Sequence, residues 1–194
     1  MGMAAPMYYT AEMVRALPDD GNRYETVHGE LLVTPAPRPW HQEVVDRVRD
    51  VLKGYLVRHP GWHLWSAPAD ISWTADVLVQ PDLFVVPIEE ARTLDWARLR
   101  HLELVVEVLS PTTARADRFT KRRLYQEERI PTYWIVDPDA RFVEVWTPDA
   151  VTPQVERERV VWLPGARLIR SSLRWRSCFG RCSPRGTAPR SAAR

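Results

Sequence analysis

Cysteine is scarce in this sequence: its 194 residues include two, Cys178 and Cys182. With two sulphurs and no histidine beside them, neither a zinc site nor a structural disulfide is expected, and both are read as free thiols. Long apolar runs are missing too. None approaches the ~20 residues that a membrane helix needs, so no membrane span is expected. The opening decapeptide MGMAAPMYYT has neither a basic start nor an apolar core. No secretion signal is read there, and a cytoplasmic location is expected.

Lysine is the most telling shortage. Of 27 basic residues only Lys53 and Lys121 are lysine. Against that arginine bias, a lysine at a sheet-facing position suggests that a guanidinium would not serve there, since an ammonium can exchange a proton and a guanidinium effectively cannot. Positive charge is also lacking from the body of the chain. Eight arginines fall between Gly165 and Arg194, a stretch without acids, which leaves 19 basic against 25 acidic side chains in the first 164 residues. The body is thus at −6 beneath an overall +2. Whole-chain charge gives no evidence of nucleic-acid binding, and any basic footprint must be local or carried by the tail.

What is present is a folded chain, 45% hydrophobic with nine Trp. The expected organisation is a flexible N-terminus over residues 1–9, one domain over 10–176, and an Arg-rich, disordered tail over 177–194. Thr10 to Leu17 reads as a short capped helix. Residues 23–27 and 30–33 flank His28-Gly29 as a hairpin. Trp40 to Arg58 repeats apolar residues with the spacing of one helix face and opens with His41 at the start of that face. Trp62–Ser66, Ile71–Thr74 and Asp82–Val86 read as strands, and Glu89–Arg100 as a helical connection. Arg141–Thr147 reads as an antiparallel strand and Val155–Trp162 as a further one, with Leu168, Ile169, Leu173 and Trp175 docking beyond. Glu25 and Glu30 are read as solvent-face charges of the hairpin.

The chain is organised around residues 102–138, LELVVEVLSPTTARADRFTKRRLYQEERIPTYWIVDP. Leu104, Val105, Val106, Val108 and Leu109 form an apolar strand with Glu107 in its middle, where a carboxylate is costly unless a cation or several donors meet it. Ser110-Pro111-Thr112-Thr113 breaks the strand and caps a helix from about Ala114 to Glu128. On it Asp117, Lys121, Leu124, Tyr125 and Glu128 share one stripe, which should face the sheet. Arg118, Arg122 and Arg123 fall on its flanks. Ile130-Pro131 stops the helix before a second strand, Thr132 to Val136. Strand, helix, strand in this order is a right-handed crossover unit with parallel strands.

Asp82, Glu107 and Lys121 then form a candidate constellation of two carboxylates on adjacent strands and one ammonium on the crossover helix. A divalent cation between two carboxylates removes their repulsion, and oxygen ligands suit Mg²⁺ or Mn²⁺. Such a site implies metal-assisted hydrolysis of a phosphodiester. The competing account makes Glu107 and Lys121 a buried structural ion pair and Asp82 a turn cap. Spacing alone leaves both open.

The segments PDLFVV, ELVVEVLSPTT, DRFTKRRLY and IPTYWIVDP, in this order and preceded by YETVHGELL and the helix opening with His41, resemble the Uma-type family of restriction-endonuclease-like proteins, assigned to the PD-(D/E)xK nuclease superfamily. The resemblance runs from about Thr10 to Leu173. It implies an α/β fold with a mixed sheet flanked by helices, and a DNA endonuclease dependent on Mg²⁺ or Mn²⁺. Asp82 and Glu107 would be catalytic metal carboxylates, and the Val108 backbone carbonyl would complete the shell. Where the usual signature has a lysine two residues after the glutamate, this chain has Leu109, which cannot hold a water. The resemblance implies a migrated lysine, Lys121, while His41, Glu30 and Tyr125 would stand beside the site. The turn Arg129-Ile130-Pro131-Thr132-Tyr133-Trp134 lacks the family's usual glycine and acid. DNA is the expected partner, with a homodimer suiting cleavage of both strands. The rival reading is a non-catalytic nucleic-acid-binding or partner-binding module on the same fold, and a remoter one is a hydrolase of other phosphate esters.

Overall fold

The computed structural model describes residues 8–166 and the backbone of residues 172–174. The expectations for residues 1–7, for Leu168, Ile169 and Trp175, and for the tail with Cys178 and Cys182 lie outside the described residues. Helix α1 (Ala11–Arg15) is capped by Thr10, whose hydroxyl accepts the Met13 N–H at 3.2 Å. Strands β1 (Arg23–Val27) and β2 (Glu30–Thr34) form the expected hairpin. Its turn is His28 and Gly29, both left-handed at φ 50° and 82°, as the twist of a two-residue hairpin demands. Helix α2 (Pro39–Leu56) follows.

The central sheet is built from β3 (Trp62–Ser66), β4 (Leu83–Pro87), β5 (Leu104–Val108), β6 (Thr132–Asp137), β7 (Phe142–Trp146) and β8 (Gln154–Glu156), adjacent in that order. Only β5 and β6 pair in parallel, so the sheet is mixed and its single crossover is the unit expected over residues 102–138. The connection from β4 to β5 carries a short helix, α3 (Ile88–Ala91), and a 3₁₀ turn at Trp96–Arg98.

Strand alternation sorts the sheet into two faces. Leu83, Val85, Leu104, Val106, Val108, Trp134 and Val136 meet Val44, Val48, Leu52 and Tyr55 of α2. Phe84, Val86, Val105, Leu109, Tyr133 and Ile135 point the other way, against the crossover helix and the loop around Ile71, Val77 and Val79. Each large apolar side chain buried in this way contributes about 1.5–3 kcal/mol. The hairpin is tied to the second face by Thr26 and Leu78, which exchange two backbone hydrogen bonds of 2.8 Å.

Three expected elements take another form. Ile71–Thr74 is not a strand: Ile71 makes a single bridge to Val79, and the Ser72 hydroxyl donates to the Thr74 and Val77 carbonyls, holding a turn in its place. Val155–Trp162 is split. The chain bends at Arg157-Glu158 after β8. Strand β9 (Arg159–Val161) leaves the sheet to pair with β10 (Ser172–Arg174), Leu173 lying opposite Val160. The crossover helix is irregular, with a π-type stretch at Ala116–Lys121 running into α4 (Arg122–Glu127). Among the described residues no helix is long and apolar enough to cross a membrane.

Candidate active site

Strand β4 begins beside the end of β5. Their antiparallel register pairs Phe84 with Val105 and Leu83 with Val106, and one further step brings Asp82 opposite Glu107. Both have the parity of Phe84 and Val105 and so belong to the second face. Asp82 is almost fully buried. Its Oδ2 accepts the Val108 N–H at 2.9 Å, and its Oδ1 accepts from the Arg23 guanidinium at 3.1 Å. His41, in the first turn of α2, reaches around the end of the sheet. Its Nε2 lies 3.2 Å from Asp82 Oδ2 and 2.9 Å from the Val108 carbonyl oxygen.

The crossover helix supplies the ammonium. Asp117 and Lys121 sit at opposite ends of one turn within the π-type stretch, and both face the sheet with Leu124 and Tyr125. π-type stretches are rare and recur at functional sites. Lys121 Nζ is 3.0 Å from Glu107 Oε1, 2.8 Å from Glu25 Oε2 and 3.6 Å from Asp117 Oδ1. The Tyr125 hydroxyl donates to Glu107 Oε1 at 3.3 Å. Glu25 is anchored through Oε1, which accepts the Gln80 N–H at 2.7 Å, while Arg23 Nε lies 3.9 Å from its Oε2.

Four carboxylates, of Glu25, Asp82, Glu107 and Asp117, therefore share two permanent cations, Arg23 and Lys121. Burial opposes ionisation of Asp82, but His41, Arg23 and the Val108 N–H outweigh it and hold this carboxyl well below the usual range. Glu107 goes the other way. Burial pushes it well above the ordinary glutamate value, against the pull of Lys121 and with the help of Asp82, Asp117 and Glu25. Burial likewise raises Asp117 to about 6. Lys121 is pulled down by burial, yet Glu107, Glu25 and Asp117 more than offset this and raise it above an ordinary lysine. Lys121 stays charged, and surplus negative charge is relieved by protons on Glu107 and Asp117. Burial and the neighbouring acids keep the Tyr125 phenol neutral, a hydrogen-bond donor only.

A cavity of about 770 Å³ opens over this cluster, bounded by the hairpin, the start of α2 and the loop after β5. Arg23, Arg38, His41, Asp82 and Thr113 line it. Glu107 and Lys121 do not; their side chains are 1% and 2% exposed and lie behind the wall. Among the described residues no three His, Cys, Asp or Glu side chains are grouped to hold a metal ion by themselves.

The fold thus gathers Asp82, Glu107, Lys121, the Val108 carbonyl, His41 and Tyr125 at one place. Glu30 is a correction: it is exposed at the start of β2, where the turn aims it outward, and among the described residues it bonds to no member of the cluster. Glu25 is the opposite correction, fully buried instead of solvent-facing. Glu25, Asp117 and Arg23 had no assigned role from sequence. The available signal was parity, since Glu25 shares its strand face with Val27, a core residue of the second face.

No curated protein sequence matches this chain. A putative nuclease of the DUF820 group from Anabaena variabilis has a similar crystal structure, at a TM-score of 0.67 and 19% identity, covering 88% of this chain and 97% of that one. At that identity the likeness shows the fold, which is α/β with a mixed sheet flanked by helices. The Uma2 family model, described as "Putative restriction endonuclease", matches residues 11–174. That span includes both carboxylate strands, the crossover helix with Lys121, and the hairpin carrying Arg23 and Glu25, and on this ground the chain belongs to the Uma2 family of nuclease-like proteins.

Proposed function

We propose that the protein is a metal-dependent endonuclease that hydrolyses DNA phosphodiester bonds, with Asp82, Glu107 and the Val108 carbonyl holding Mg²⁺ or Mn²⁺. The observation that carries this reading is the charge imbalance beneath the cavity. Four buried carboxyl groups surround the buried Lys121 and the part-exposed Arg23. Burial holds two of them, Glu107 and Asp117, toward the protonated form, and a divalent ion would replace those protons. The donors fit such an ion: two carboxylates and a backbone carbonyl at the adjoining ends of two strands, all oxygen. When bound, the metal would polarise a phosphoryl oxygen and lower the pKa of a water.

The chain's own residues do the positioning. Arg23 neutralises Asp82 from the cavity wall and presents a guanidinium to an entering phosphate. Lys121, charged throughout the working pH range, cannot act as a general base. Its part is to fix the orientation of Glu107 and, through the field of its ammonium, to favour the anionic form of the attacking water. Tyr125 donates to the same Glu107 oxygen and restrains it further.

Supercoiled plasmid with the full-length protein and Mg²⁺ or Mn²⁺ tests the proposal. Nicking or linearisation is expected, with Glu107→Ala reducing it by about 10²-fold or more. Activity that survives this change, or its absence in the wild type with either metal, would refute the assignment. One observation favours a second reading, a nucleic-acid-binding module without catalysis: Glu107 and Lys121 are walled off from the cavity. That reading predicts retained DNA binding with no cleavage under any divalent metal.

A further inference from the structure

We infer that His41 is a nitrogen ligand of the metal site, and that it biases the site toward Mn²⁺ over Mg²⁺. The inference rests on the reading of Asp82 and the Val108 carbonyl as metal donors. His41 Nε2 meets both: it lies 3.2 Å from Asp82 Oδ2 and 2.9 Å from the carbonyl oxygen. In an octahedral shell with metal–ligand bonds near 2.1 Å, neighbouring donor atoms stand ~3.0 Å apart. Both separations match the edges of such a shell; here they are the hydrogen bonds of an Nε2–H, and metal binding at Nε2 would shift the ring to the Nδ1–H tautomer. His41 also comes from the far side of the sheet, through the first turn of α2, so its ring closes the group of donors from the direction that neither carboxylate strand covers. It lines the cavity, which gives an ion access to Nε2.

A second feature concerns the rest of the ring. His41 Nδ1 is buried and has no hydrogen-bond partner among the described residues. Metal-ligating imidazoles ordinarily donate the remote N–H to an acceptor, whose loss weakens metal binding about 10- to 100-fold. This ring has none among the described residues, so the ion is expected to be weakly held and exchangeable. The choice of metal follows from donor type. An imidazole suits Mn²⁺ and the later divalent ions, whereas Mg²⁺ strongly prefers oxygen. The oxygen-only shell expected from sequence did not distinguish the two.

Mn²⁺ binding to the full-length protein, followed by electron paramagnetic resonance, provides the test. Pulsed spectra of the wild type should show coupling of the bound ion to a ¹⁴N nucleus. His41→Ala should lose that coupling and bind Mn²⁺ at least about tenfold more weakly. His41→Gln keeps a hydrogen-bond donor toward Asp82 and the carbonyl but cannot restore the nitrogen coupling, so a purely structural histidine would be rescued by glutamine and a ligand would not. Competition by Mg²⁺ should strengthen in His41→Ala relative to the wild type. Bound Mn²⁺ without nitrogen coupling in the wild type, or His41→Ala binding as tightly as wild type, would overturn the inference and leave the carboxylate site standing. A wild type that takes up no Mn²⁺ would overturn both.

Discussion

The two faces of the central sheet are made by the same strands, yet they bury different things. On the α2 face, Leu83, Val106, Val108 and Trp134 pack against Val48, Leu52 and Tyr55, with no ionisable acid or base in that cluster among the described residues other than the Tyr55 phenol. On the other face the same strands carry Asp82 and Glu107, and the covering elements answer with Arg23, Glu25, Asp117 and Lys121. An apolar face is sufficient to hold a sheet and a helix together. A buried ion cluster is often no more stabilising than apolar residues of the same volume. The comparison teaches that the α2 face accounts for the fold, while the charged face costs stability that chemistry at the site would explain.

The largest test of that contrast sets Lys121→Met against Leu52→Ala. Removing the ammonium leaves three buried carboxylates facing one another and should cost about 3–5 kcal/mol near neutral pH. The loss should shrink at acid pH, where protons replace the missing cation. Leu52→Ala should cost about 2–5 kcal/mol through its cavity, and its cost should not vary with pH. Urea unfolding of both at pH 5 and pH 7.5 reads the difference. Equal pH dependence would erase the distinction between the faces.

A smaller effect comes from Asp117. Its folded pKa of about 6 lies above the ordinary aspartate value of 3.8, so between these values the native state holds a proton that the unfolded chain has released. Its contribution to stability therefore falls as pH rises from about 4 to 6, and the penalty is complete above that. Asp117→Asn should flatten this part of the stability profile and gain about 1–2 kcal/mol at pH 7.5 in metal-free buffer. An unchanged profile would mean that Asp117 is not strained by its burial.

Much of this was legible from the chain itself. Glu107 stood out because a carboxylate interrupts an apolar strand, and Lys121 because its helix stripe includes Leu124 and Tyr125. The parallel crossover followed from strand, helix and strand in succession. Glu25 was missed because a hairpin read alone offers two equivalent faces, and only its docking through Thr26 and Leu78 decides which one is buried. The bend between β8 and β9 was missed for a related reason: an exposed Val155 and a buried Val160 are what one continuous strand would also give, so alternation does not reveal the break at Arg157-Glu158. The π-type stretch left no mark in residue spacing, since Asp117 and Lys121 share a face in either helix type.

The claim on which the rest depends is that the charged face is short of a divalent cation. Thermal unfolding of the wild type and of Glu107→Gln, each with and without Mn²⁺, tests it most directly. Ligand at 100 times its dissociation constant stabilises the folded state by about 2.7 kcal/mol. The account predicts a wild-type melting temperature several degrees higher with Mn²⁺ and little change in Glu107→Gln. An equal shift in both proteins, or none in the wild type, would contradict it.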